Sequence, residues 1–116
     1  MNTQLIFVYN ANGGLFNMAA DWLHKIFSPK TYPCSLCALT YGHFGERQEW
    51  KRFITSLDEK PVFLHQDELT EQYPNQKFKL PCVLRRQGNN LFEVISAKEL
   101  NAMSTLEALK NSVSKL

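Results

Sequence analysis

Residues 5–11, LIFVYNA, restrict the fold more than any other stretch of the chain, because they form a continuous apolar and β-branched run that stops at the turn-forming NGG. A strand with one wet face alternates apolar and polar side chains; a strand buried on both faces does not. This run therefore reads as a central strand followed by a tight turn. Burial on both faces calls for a sheet with covering layers on each side, which is an α/β arrangement. With 116 residues, 44% of them hydrophobic, the chain can bury one core without disulfides or metal. It shows no repeat, low-complexity tract or long linker, so residues 1–116 read as a single domain.

The hydrophobic period changes after Gly13 and Gly14. Leu15, Met18, Ala19, Trp22 and Ile26 fall on one helical stripe, with Asn17, Asp21, His24 and Ser28 opposite, which predicts an amphipathic helix over 15–27 ending near Pro29. PKTYP reads as a loop, and 34–41 as two helical turns that Gly42 ends. A further helix over 46–57 places Trp50, Phe53, Ile54 and Leu57 on one face. Glu46 and Glu49 come early in it and Lys51 and Arg52 later, as the helix dipole favours. PVFLHQ reads as a strand, DELTEQYP as a short helix or turn, and LPCVLRR with LFEVI as two strands joined across QGNN. Two capping boxes follow: Ser96 with Glu99 opens a short turn, and Ser104 with Glu107 opens a helix whose Leu106, Leu109, Val113 and Leu116 face inward.

The chemistry-bearing motif is TYPCSLCALTYG, with Cys34 and Cys37 three positions apart. At the start of a helix this spacing puts both sulfurs beside the first turn, where free backbone N–H groups and the positive dipole end favour a thiolate. Cys34 is then the nucleophile that attacks a disulfide, and Cys37 the thiol that resolves the mixed disulfide. The same pair could instead be half of a zinc site completed by His43, Cys82 or His24. No second CxxC or HxxxH pair exists to supply the other half locally. As a third alternative, the cysteines are small buried core residues.

Other features are explained by packing or solvation. Cys82 lies in an apolar run and reads as a strand core residue. His24 falls on a polar helix face, and His65 marks a strand end. Asp67, Glu68 and Glu71 suit the first turn of a helix, and Trp22 and Trp50 sit on core-facing stripes. The 13 basic and 11 acidic residues give a formal net charge of +2, with the basic residues scattered, so no nucleic-acid footprint is expected. Neither a signal peptide nor a run near the ~20 apolar residues of a membrane span is found. An odd total of three cysteines fits a reducing, cytoplasmic setting. The oligomeric state is not legible.

The order of elements, Cys34-Ser35-Leu36-Cys37 opening a helix, and Leu80-Pro81 just before CVLRR together resemble the thioredoxin-like superfamily. The resemblance implies a βαβ-ββα core with a mixed sheet flanked by helices, a cis proline at Pro81 that orients the partner at the dithiol, and thiol-disulfide exchange with a protein thiol or disulfide. No cofactor is implied, zinc belonging to the alternative reading. A non-enzymatic protein-binding module on the same fold is a further alternative. The chain differs from the family pattern in its extra helix between the first strand and the CxxC, in Pro33 where an aromatic residue is usual, and in GHFG after the motif. TYPCSLCALTYG is also similar to a segment of short uncharacterised bacterial proteins, a likeness that implies no chemistry.

Overall fold

The computed structural model describes residues 3–10, 35–42 and 45–116, leaving aside the side chains of residues 37, 41, 42, 45 and 46. The expected helix over 15–27, the PKTYP loop, His24, Cys34 and His43 lie outside the described residues.

The apolar run forms β1 (Thr3–Val8), followed in the described chain by α1 (Ser35–Thr40) and by β2 (Tyr41–Gly42) and β3 (Gly45–Glu46). Then come α2 (Gln48–Thr55), β4 (Val62–Leu64) and α3 (Gln66–Gln72). The chain ends with β5 (Cys82–Gln87), β6 (Asn90–Ile95), α4 (Ala97–Ala102) and α5 (Leu106–Ser114). Four strands make a mixed sheet in the order β4-β1-β5-β6, with β2 and β3 as a separate ribbon. β1 runs parallel to β4 and antiparallel to β5, and β6 is antiparallel to β5. β1 is thus central, as its continuous apolar run requires.

Alternation along the strands divides the core in two. Leu5, Phe7 and Tyr9 of the β1 segment, Val83 and Ile95 pack with Leu36 and Leu39 of α1, Trp50 of α2, Leu100 of α4, and Leu106, Leu109 and Val113 of α5. Ile6 and Val8, with Leu64, Cys82 and Leu84, pack on the other face with Leu69 of α3, backed by Tyr73, Phe78 and Leu80. The register agrees: Phe7 pairs with Val83 and Phe63, and Val8 with Cys82 and Leu64. On the first face the Phe7 ring meets Trp50 edge-on at 5.4 Å and stacks on Phe63 at 5.2 Å. Both are favoured aromatic geometries. The sheet is therefore flanked by helices on both sides, with four of the five described helices on one of them.

The hairpin β5-β6 turns through Gly88 and Asn89. Gly88 has φ of +60°, and no non-glycine residue among those described has positive φ. Positive φ at the first central position alone is the pattern of a type II′ turn, which suits the twist of paired strands. Further along, the register shifts between Val83 and Leu84, whose partners are Ile95 and Glu93. The bulge leaves Val94 as the extra residue, and both Val94 and Ile95 join the helix-rich face.

Several expectations are corrected at element ends. Gly42 does not end α1; the helix stops at Thr40, whose carbonyl accepts from the Arg47 N–H at 2.8 Å and closes the β2-β3 ribbon. That ribbon takes Glu46, so α2 starts two residues later than its stripe suggested. The cap of α5 is Thr105 and not Ser104: its hydroxyl accepts from the Ala108 N–H at 3.1 Å. Leu116, placed inward by its spacing, is 39% exposed because α5 ends at Ser114. The Ser96 and Glu99 capping box forms as expected and opens a true helix, α4.

Candidate functional site

α1 begins at Ser35 and takes in Ser35, Leu36 and Cys37 of the motif, while Cys34 lies outside the described residues. Cys37 lies within α1. The two intervening side chains are both held. Leu36 is fully buried in the core that also takes Leu100 and Leu106. Ser35 Oγ donates to Asn101 Oδ1 on α4 at 2.7 Å. At the other end of this short helix Thr40 is buried, and its hydroxyl donates back to the Leu36 carbonyl at 2.8 Å. That bond satisfies a polar group which burial would otherwise penalise.

Pro81 is fully buried, and the Leu80-Pro81 peptide bond is cis, the isomer that the resemblance implied. It sits one residue ahead of Cys82, whose register partner is Val8, the last residue of β1. The start of β5 and the carboxyl end of β1 are therefore neighbours. The carboxyl end of β4 joins them, because the Tyr9 N–H donates to the Leu64 carbonyl at 2.9 Å and extends the parallel pairing. In open α/β sheets this end of parallel strands is where ligands are met.

Cys82 opens β5. Its side chain is wholly buried among Ile6, Val8, Leu64, Leu69 and Leu84, on the face away from Leu36 and Leu39 of α1. Burial, with a smaller contribution from the Glu93 charge, pushes its thiol up to about 12. A thiol kept protonated in an apolar cluster is a poor nucleophile and a poor metal ligand, since both roles need the thiolate. This placement favours the packing role that its apolar run suggested over a role as zinc ligand. Among the described residues no three His, Cys, Asp or Glu side chains are grouped to hold a metal ion.

One group at the sheet's carboxyl end was not read from sequence as more than a strand end and a helix start. His65, which follows β4, precedes α3 as its N-cap; its backbone N–H donates to Glu68 Oε1 at 2.9 Å, and its Nδ1 lies 2.7 Å from the same oxygen. The hydrogen bonds from the His65 backbone and then its ring hold the Glu68 carboxyl below the usual carboxylate range, with a smaller opposing effect from burial. The Tyr9 ring lies 5.6 Å from the His65 ring. The signal for this arrangement is the HxxE spacing, a variant of the capping box.

No family model, curated protein or solved structure matches this chain. No helix among the described residues is long and apolar enough to cross a membrane.

Proposed function

We propose that the chain is a thioredoxin-like thiol-disulfide exchange protein that uses Cys34 and Cys37, with Pro81 orienting the partner, in a reducing compartment such as the cytoplasm. The observation that carries the reading is the start of α1 at the residue after Cys34, on a sheet of order β4-β1-β5-β6 in which β1 is parallel to β4 and antiparallel to β5. That strand order is what a βαβ unit followed by a ββα unit produces when the parallel pair lies beside the antiparallel pair. Pro81 at the head of β5 and the placing of α1, α4 and α5 on one face and α3 on the other support it further.

In the proposed exchange the Cys34 thiolate attacks one sulfur of a partner protein's disulfide. The partner's S–S bond breaks, a Cys34-partner bond forms, and the partner's second sulfur leaves as a thiolate. Cys37, deprotonated in turn, attacks Cys34 Sγ; the mixed disulfide breaks and the partner's first sulfur leaves. The products are a Cys34–Cys37 disulfide and a reduced partner. Two electrons have passed to the partner, and the two protons given up by Cys34 and Cys37 end on its thiols.

The test is reduction of a model protein disulfide, insulin, with a glutathione-regenerated supply of the dithiol form. The wild type accelerates reduction, Cys34→Ser removes the acceleration, and Cys37→Ser accumulates a covalent insulin adduct in the intact mass spectrum. No acceleration and no adduct would overturn the exchange reading. A zinc mass lost on denaturation would then point to the metal alternative, and its absence to a binding module.

A further inference from the structure

We propose that Asn101 is a positioning residue for the Cys34–Cys37 pair, acting through its hydrogen bond with Ser35. The inference rests on the thiol-disulfide reading and names what tunes that site. The motif places two residues between its cysteines, and two successive residues of α4 are associated with them. Leu100 shares the buried core with Leu36, and Asn101 accepts from the Ser35 hydroxyl at 2.7 Å. One attachment is apolar and the other polar, and they hold neighbouring positions of α1. Ser35 and Asn101 are 66 positions apart in sequence, so this bond is a tertiary clamp on the motif and no part of the local helix pattern.

The consequence follows from loop closure. A disulfide between Cys34 and Cys37 closes a very short loop, and its equilibrium against the dithiol depends on how often the free chain brings the two sulfurs together. With the Ser35 hydroxyl bonded to Asn101 and Leu36 buried in the core that also takes Leu100, the two residues between the cysteines are held in one arrangement. The ordering is then already present in the dithiol form, and closing the disulfide costs less. Loss of the Asn101 acceptor frees the polar attachment and leaves Leu36 in the core. The disulfide then becomes easier to reduce while the fold persists. Asn101 is an exposed side chain near the end of α4, so its truncation empties no core volume.

The experiment is equilibration of full-length protein in glutathione buffers of graded ratio, with acid quenching, alkylation and intact mass to read the Cys34–Cys37 disulfide fraction. Asn101→Ala is expected to lower the equilibrium constant for the disulfide by about threefold to tenfold, the effect of one hydrogen bond. This raises the potential by ~15 to 30 mV. Ser35→Ala, on the other partner, is expected to give the same shift, the double variant no more than either single one, and Ser35→Thr, which keeps the hydroxyl, the wild-type constant. A substitution that only weakened the fold equally in both redox states would leave the constant unchanged. Wild-type constants in Asn101→Ala and Ser35→Ala would overturn the positioning role and leave the exchange reading standing. A wild type that forms no Cys34–Cys37 disulfide at any glutathione ratio would overturn both.

Discussion

The two faces of the sheet are covered unequally, by four described helices on one and by one on the other. The face under α1, α2, α4 and α5 is aromatic, with Phe7 between Trp50 and Phe63 and with α1 in contact with α4 and α5. The face under α3 is smaller and mainly aliphatic, made of Ile6, Val8, Leu64, Leu69 and Leu84 around Cys82. The first face takes in Leu36 of the CxxC motif, and the second holds Cys82. Cys82 is sealed among hydrocarbon. Ser35, between Cys34 and Cys37, reaches a polar partner at the surface. The apolar neighbours of Cys82 thus mark it as a packing residue more sharply than its place in an apolar run of sequence does.

The largest expected effect breaks the helix-rich face. Trp50 is fully buried between Phe7 and Phe53, so Trp50→Ala should cost about 3–5 kcal/mol by chemical denaturation. Its indole N–H has no hydrogen-bond partner among the described residues. Trp50→Phe, which keeps a ring and gives up no such bond, should therefore cost well under half as much.

On the opposite face Cys82→Ser should cost about 1–3 kcal/mol, because it buries a hydroxyl among apolar groups without a partner. Cys82→Ala should cost less, and neither should change exchange at Cys34 and Cys37. A loss of exchange activity in a folded Cys82→Ala protein would join the two faces in a way the structure does not.

The smallest effect lies at a part-buried ion pair. Arg85 of β5 grips Glu59 with Nη2 at 2.8 Å and Nε at 3.3 Å. The hydrogen bond from Arg85 lowers the Glu59 carboxyl from its ordinary value of 4.5, against a smaller opposing effect of burial. A carboxylate lowered in the folded state adds stability that is present in full above the unfolded value and is lost as pH falls through the folded one. Glu59→Gln should thus cost ~0.5 kcal/mol at neutral pH, after solvent screening. The difference from wild type should vanish as pH is taken well below 4.5, read by urea unfolding across pH.

How much was legible from sequence follows the same physical lines. β1 was legible because burial on both faces leaves an unbroken apolar run, and α2 because Trp50, Phe53 and Ile54 fall on one stripe of its two turns. Cys82 was legible as packing for the same reason as β1. The β2-β3 ribbon was not, since two-residue strands carry no period and Gly42 reads equally well as a helix end. The cap of α5 was displaced by one residue because Ser104 and Thr105 are both good caps, and geometry chooses between them. The mixed sheet was implied by the family resemblance, and no local pattern carried the order of its strands. The clamp between Ser35 and Asn101 had no sequence signal at all, because a hydrogen bond between two polar residues far apart in the chain leaves no periodic trace.

The most direct test of the account compares the three thiols in one sample. Native protein, freshly purified with and without reductant, is pulsed with an alkylating agent, then unfolded and labelled with a second, and each cysteine is located by peptide mass. The account predicts a two-proton mass loss confined to Cys34 and Cys37 in the oxidised sample, reversal by reductant with both sites labelled in the first pulse, and Cys82 labelled only after unfolding. Cys34 and Cys37 found as free thiols in both samples, and protected like Cys82 until the chain unfolds, would contradict it and make all three cysteines packing residues.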